Sequence, residues 1–107
     1  MKLDVRVEKK ESGMAKVYVQ GDVTIQTSPE LRKVLKPLFV AKQKEIHVYL
    51  SDVGFMDSSG IATLVEGLQW ARDMQGRFVL HDLRDTVRDV FRLAKLDTVF
   101  EIAEVAA

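Results

Sequence analysis

In the stretch Gly54-Phe55-Met56-Asp57-Ser58-Ser59-Gly60-Ile61, a carboxylate and two hydroxyls occupy consecutive positions just ahead of a glycine. Upstream, residues 45 to 50 read as a strand; downstream, Ile61, Leu64, Val65, Leu68, Ala71 and Met74 recur at helical spacing. The hydroxyls therefore fall at or near a helix N-terminus, where free backbone N–H groups and the positive end of the helix dipole favour an anion. That anion is either a phosphate made in place on Ser58 or Ser59 or one carried by a ligand. Asp57, Ser58 and Ser59 are equally good helix caps, and capping alone accounts for their types. Gly60, lacking a β-carbon, permits close approach of another backbone or a nucleotide-bearing partner, or tight packing of the loop against a neighbouring helix.

Other chemistry-bearing residues read as structural. His47 lies within one strand and His81 ends another, with no second ligand at metal-binding spacing in the sequence, so neither a metal nor a catalytic role is expected of them. Gly-x-Ser-x-Gly is absent, which removes the usual nucleophile elbow, and no Walker sequence is present. No enzyme activity, cofactor or metal is expected. Trp70 shares a helix with Gln69 and Arg72 and is either half-buried or a partner anchor. Met14, Met56 and Met74 read as fillers of the core or hairpin. Arg84, Asp85, Arg88, Asp89 and Arg92 alternate in sign as on a solvated helix face.

The elements that must position the Asp57 stretch follow from periodicity. Leu3, Val5 and Val7 alternate with polar residues, as do Ala15, Val17 and Val19, and Glu11-Ser12-Gly13 between them is a turn: a hairpin with one buried face. Thr27 and Glu30 have capping-box spacing and Pro29 suits a first turn, so a helix opens there with Leu31, Val34, Leu35, Leu38 and Phe39 as its inner stripe. Residues 45–50 and 77–82 supply two strands that each follow a helix, a pattern that returns the chain parallel to the strand before. Asp85, Val87, Val90, Phe91 and Ala94 make a last helix, and residues 99–102 a short terminal strand. The expectation is an α/β domain over residues 1–107 with a mixed sheet of four to five strands and packed helices. The Asp57 stretch follows the C-terminal end of a strand, where sites in α/β sheets gather.

Composition narrows the class. With 107 residues, 47% of them hydrophobic, the chain can bury one core without staples. The absence of cysteine excludes a disulfide scaffold and fits a reducing compartment. The alternating N-terminal residues lack the apolar run of a signal peptide, and no run reaches membrane-spanning length, so a soluble cytoplasmic monomer is expected. Sixteen basic and sixteen acidic residues cancel, so no basic stripe announces nucleic acid, and recognition is expected to go through a local patch on another protein.

Asp57-Ser58-Ser59-Gly60-Ile61 resembles the signature of STAS domains, specifically the small anti-sigma factor antagonists, in which a strand runs through an apolar-Asp-Ser-(Ser/Thr)-Gly element into the next helix. The resemblance extends through Gly21-Asp22-Val23, through Arg77 to Leu80 and through the C-terminal pattern Val87, Val90, Phe91, Ala94, Leu96, Asp97, Val99 and Phe100. It implies the STAS fold, with Ser58 as the phosphorylated residue, Ser59 as the second hydroxyl that supports recognition or local structure, Gly60 in the same loop and Asp57 as the family aspartate, which on physical grounds holds the loop by capping backbone N–H groups and presents a carboxylate near the acceptor hydroxyl. It also implies an unphosphorylated form that binds an anti-sigma factor with serine kinase activity and so frees a sigma factor. Phosphorylation of Ser58 would end that binding, and a protein phosphatase would restore it. Two positions depart from the family pattern: Thr24 stands where Gly-Glu-Leu-Asp would place an aspartate, which affects partner contacts near Asp22 and Thr24, and Lys95 replaces a small residue before Leu96. The alternatives are a STAS accessory subunit of a transporter ATPase that is never phosphorylated, and a nucleotide-binding domain using the same loop.

Overall fold

A computed structural model describes residues 2–103. Strands β1 (Asp4–Lys9) and β2 (Met14–Gln20) form the expected hairpin, antiparallel in register from Asp4 opposite Gln20 to Lys9 opposite Ala15. Helix α1 (Ser28–Val40), strand β3 (Glu45–Asp52), helix α2 (Ser58–Asp73), strand β4 (Arg77–His81), helix α3 (Asp85–Leu93) and strand β5 (Glu101–Ala103) follow. The five strands stand in sequence order, and β2 to β5 are mutually parallel because a helix separates each from the next.

Strand alternation sorts the sheet into two faces. Ala15, Val17 and Val19 of β2, Ile46, Val48 and Leu50 of β3, and Phe78 and Leu80 of β4 are all buried on one side. The helices lay their apolar stripes there: Leu31, Leu35 and Phe39 from α1, Leu64 and Leu68 from α2, Val87 and Phe91 from α3. Phe78 is the meeting point, with Phe39 and Phe100 rings at 6.2 and 6.5 Å and helix α2 crossing at Gly67, where a β-carbon would lie 2.7 Å from the Phe78 ring. Burial of each such large side chain contributes about 1.5–3 kcal/mol.

All three helices end alike. Lys42, Gln75 and Lys95 adopt left-handed φ of 62°, 57° and 59°. The next amide in each case reaches back five residues, Gln43 to Leu38, Gly76 to Ala71 and Leu96 to Phe91. This is the Schellman closure, which usually places glycine at the left-handed position. Lys95 therefore terminates α3 in the geometry a smaller residue would adopt, and the chain still turns there.

Two sequence expectations need correction. The Thr27–Glu30 capping box does not form: Thr27 makes no side-chain cap bond to α1. Its Oγ1 instead donates to the Asp22 carbonyl and accepts from the Thr24 amide, while Glu30 accepts from the Leu3 amide at 3.1 Å and ties α1 to the hairpin. The terminal strand begins at Glu101 and not at residue 99, because the Leu96 carbonyl takes the amides of both Val99 and Phe100 in a turn.

Candidate functional site

Because β2, β3 and β4 are parallel, the segments that leave their C-terminal ends emerge at one edge of the molecule. Residues 21–27 and 53–57 are joined there by backbone bonds, Val23 N–H to Phe55 O at 3.0 Å and Asp57 N–H to Val23 O at 3.1 Å. The third segment, residues 82–84, is tied in by Arg84, whose Nε donates to the Ser51 carbonyl at 2.7 Å, and Thr86 Oγ1 donates to the Gly54 carbonyl. The segments that carry Asp22, Thr24 and Asp57 to Gly60 thus adjoin.

Asp57 is the N-cap of α2. Its Oδ1 accepts from the Ser59 amide at 2.9 Å and the Gly60 amide at 3.3 Å, and its Oδ2 accepts from the Ile25 amide at 3.0 Å. One carboxylate therefore caps the helix and locks the neighbouring loop to it. The amides of Ser59 and Gly60 at this helix start are thus taken by Asp57, as its reading as a cap anticipates, and an anion arriving here would meet a carboxylate already in place.

Ser58 is the first residue of α2 and is exposed; Ser59, one position on, is half-buried. The Ser59 carbonyl accepts from Thr63 Oγ1 at 3.1 Å, and Thr63 is buried. Gly60 is buried against Val23 and Met56: a β-carbon would stand 2.6 Å from Met56 Cγ and 2.8 Å from Val23 Cγ1. Tight packing explains this glycine. Thr24, where the resemblance would have an aspartate, turns its hydroxyl to its own loop and accepts from the Gln26 amide at 3.2 Å.

The family profile described as "Mlab, STAS domain" matches residues 7–103. The chain belongs to the STAS-domain family. An anti-sigma-B factor antagonist of Listeria monocytogenes is 24% identical over 105 residues, spanning 98% of this chain and 92% of its own length. One from Bacillus subtilis is 25% identical over 103 residues, spanning 96% and 93%. Among solved structures, the anti-sigma factor antagonist SpoIIAA in its unphosphorylated form superposes with a TM-score of 0.76 at 16% identity, covering 96% of this chain and 90% of that one. The Bacillus cell fate determinant SpoIIAA in the phosphorylated form gives 0.77 at 17% identity, covering 96% and 92%. The structural likenesses show the fold.

Two apolar residues of this STAS domain were not singled out from the sequence. Ile25 and Phe55 are 73% and 52% exposed, and both lie on the joined segments around Asp57. Their signal was available: a large apolar side chain in a turn segment, outside any helical or strand period, has no inner face to join. Trp70 is half-buried against Phe39, with ring centroids 5.7 Å apart and the Arg32 guanidinium 5.7 Å from its centroid; Arg32 also pairs with Glu66.

The structure adds a contact between the two histidines that their sequence spacing does not show. His47 Nδ1 and His81 Nε2 lie 2.7 Å apart on the sheet face away from the helices. Burial holds the His81 imidazole below its ordinary value, and the neighbouring His47 adds to that. Among the described residues there is no cluster of three or more His, Asp or Glu side chains arranged for a metal, and no helix long and apolar enough to cross a membrane.

Proposed function

We infer that this STAS domain is an anti-sigma factor antagonist whose affinity for its partner is set by phosphorylation of Ser58. The partner is an anti-sigma factor with serine kinase activity, a protein phosphatase reverses the modification, and the domain itself is a kinase substrate and not a catalyst. The observation that carries this reading is the contrast between the two hydroxyls. Ser58 stands exposed at the start of α2 on a loop immobilised by Asp57, whereas Ser59 is half-buried and its carbonyl is engaged by Thr63.

The switch needs no refolding. A phosphoserine adds about −1.5 to −2 charges at neutral pH. With the Ser59 and Gly60 amides already held by Asp57, that charge remains outward, next to a carboxylate and on the same loop edge as exposed Ile25 and Phe55. A partner surface fitted to a neutral hydroxyl and two apolar side chains then meets like-charge repulsion and a phosphate to desolvate. A penalty of about 3 kcal/mol weakens binding more than a hundredfold.

The test is a pull-down from the source cell with and without phosphatase treatment, followed by incubation of the domain with the captured kinase and ATP and peptide mapping. Phosphate on Ser58, abolished in Ser58→Ala, is expected. Label retained in Ser58→Ala and lost in Ser59→Ala moves the acceptor to Ser59. Stable capture of a transporter ATPase with no incorporation of phosphate replaces this function with that of an accessory subunit.

A further inference from the structure

The sheet face turned away from the helices carries an arrangement separate from the Ser58 loop. Register places Arg6, Tyr18, Tyr49 and His81 in one row across four strands. Tyr18 stacks on Tyr49 at 4.8 Å, Tyr49 on His81 at 4.3 Å, and the Arg6 guanidinium lies 4.8 Å from the Tyr18 centroid. Each tyrosine has a neighbour on both ring faces, which closes the row to a base or other stacking ligand. The chemistry left on this face belongs to the imidazole nitrogens.

His47 is opposite Val79, so it meets His81 diagonally across two parallel strands. His47 Nδ1 is 2.7 Å from His81 Nε2, and His47 Nε2 is 2.7 Å from Glu45 Oε2. An ionised carboxylate only accepts, so when both imidazoles are neutral the His47 proton is on Nε2 and its Nδ1 presents a lone pair, to which His81 Nε2–H donates. Arg77 Nη1 stands 3.8 Å from the same Glu45 oxygen and also pairs with Glu101, which holds the carboxylate in place. A carboxylate that fixes the tautomer of one imidazole while its other nitrogen points at a second imidazole is the outer shell typical of metal-binding histidines.

We propose that His47 Nδ1 and His81 Nε2 form a two-histidine site for a divalent transition ion of the zinc and nickel class, with Glu45 orienting His47 and solvent completing the coordination. With metal–nitrogen bonds of about 2.0–2.1 Å, two nitrogens on one ion stand roughly 3 Å apart at a right angle and about 3.3–3.4 Å apart in a tetrahedron. The observed 2.7 Å separation therefore has to open by roughly 0.3–0.7 Å, with both rings tilting so that the two nitrogens converge on an ion beside the line that joins them. His81 passes its Nε2 proton to its own Nδ1 through solvent, so the neutral pair binds the ion with no net proton released; a protonated pair at lower pH releases one.

With two histidines and no cysteine in the chain, background binding is low. The intact domain is titrated with Zn²⁺ by calorimetry at neutral pH in a non-coordinating buffer, and with Ni²⁺ while the imidazole C–H proton resonances are followed. One equivalent is expected, with both histidines broadened at the same Ni²⁺ ratio. Either His47→Ala or His81→Ala weakens binding by at least tenfold, and Glu45→Gln weakens it by about tenfold, the range for an outer-shell partner. Broadening of one histidine alone overturns the site. So does unchanged affinity in either alanine variant, or the lack of saturable binding below about 1 mM. The resonance readout uses the unaltered domain and so holds even where a variant fails to fold.

Discussion

The Asp57–Ser58 loop and the outer face of the sheet are both polar, but different parts of the chain assemble them. In the loop, one carboxylate gathers three backbone amides, and the two joined segments exchange two further backbone bonds. On the outer face, the links run from side chain to side chain: Arg77 to Glu45, Glu45 to His47, His47 to His81, and His81 against Tyr49. Backbone amides left without a partner are costly when shielded from water, whereas half-exposed side chains find water in exchange. The loop is thus part of what holds the fold, and the outer face is an arrangement the fold carries.

Removing the central carboxylate of each region separates them most sharply. Asp57→Ala loses a helix cap and the bond to Ile25, and a loss of about 2 kcal/mol is expected in urea unfolding. Glu45→Gln keeps a hydrogen-bonding group beside His47 and is expected to cost less than about 0.5 kcal/mol. Equal losses would break the comparison, because the outer-face chain would then be as structural as the loop.

Gly60→Ala gives the next largest effect. The new methyl overlaps Val23 and Met56, at a cost of about 1–3 kcal/mol for overpacking, against roughly 1 kcal/mol gained in helix propensity. The net expectation is a loss of about 1 kcal/mol. Adding Val23→Ala relieves the 2.8 Å contact, so the double variant should lose less than the sum of the two single changes. Strict additivity would show that the methyl and Val23 do not meet.

The same division explains what could be read from the chain. Asp57 to Gly60 is contiguous and lies between two strongly periodic segments, so its position at a helix start followed from the sequence alone. The bond from Asp57 to Ile25 spans 32 residues and was not legible, nor was the use of Thr27 and Glu30 for contacts outside α1. In that case local capping chemistry lost to tertiary partners: Glu30 found the Leu3 amide and Thr27 the Asp22 carbonyl. The histidine pair was invisible for a related reason. His47 and His81 are 34 residues apart, and only the register of β3 on β4 decides whether two half-buried side chains on one face adjoin.

Ser58→Ala is a smaller perturbation and sharpens the claim that this hydroxyl serves recognition. Ser58 is exposed, and no hydrogen bond links its hydroxyl to a described residue, so unfolding stability should stay within about 0.5 kcal/mol of the parent. Its circular dichroism should be unchanged while phosphate incorporation is lost. A clear loss of stability would make Ser58 a structural residue of the loop.

The smallest expected effect lies on the outer face and depends on pH. His81 titrates below its ordinary value of 6.5 because burial penalises the imidazolium, with His47 beside it as the next cause; Asp82 and Glu101 pull the other way and Lys16 reinforces the lowering. The folded state therefore binds fewer protons than the unfolded chain in the window just below 6.5. His81 is neutral and makes no demand above that window; as pH falls through it, the unfolded chain gains a proton first and stability declines, levelling off once the folded-state value is passed. His81→Gln removes this titration, so the decline in unfolding stability between about pH 7 and pH 5 should be shallower in the variant than in the parent. A parallel decline in the two proteins would assign the acid sensitivity elsewhere. A steeper one in the variant would mean that protonated His81 is held by Asp82 and Glu101 more strongly than burial opposes it.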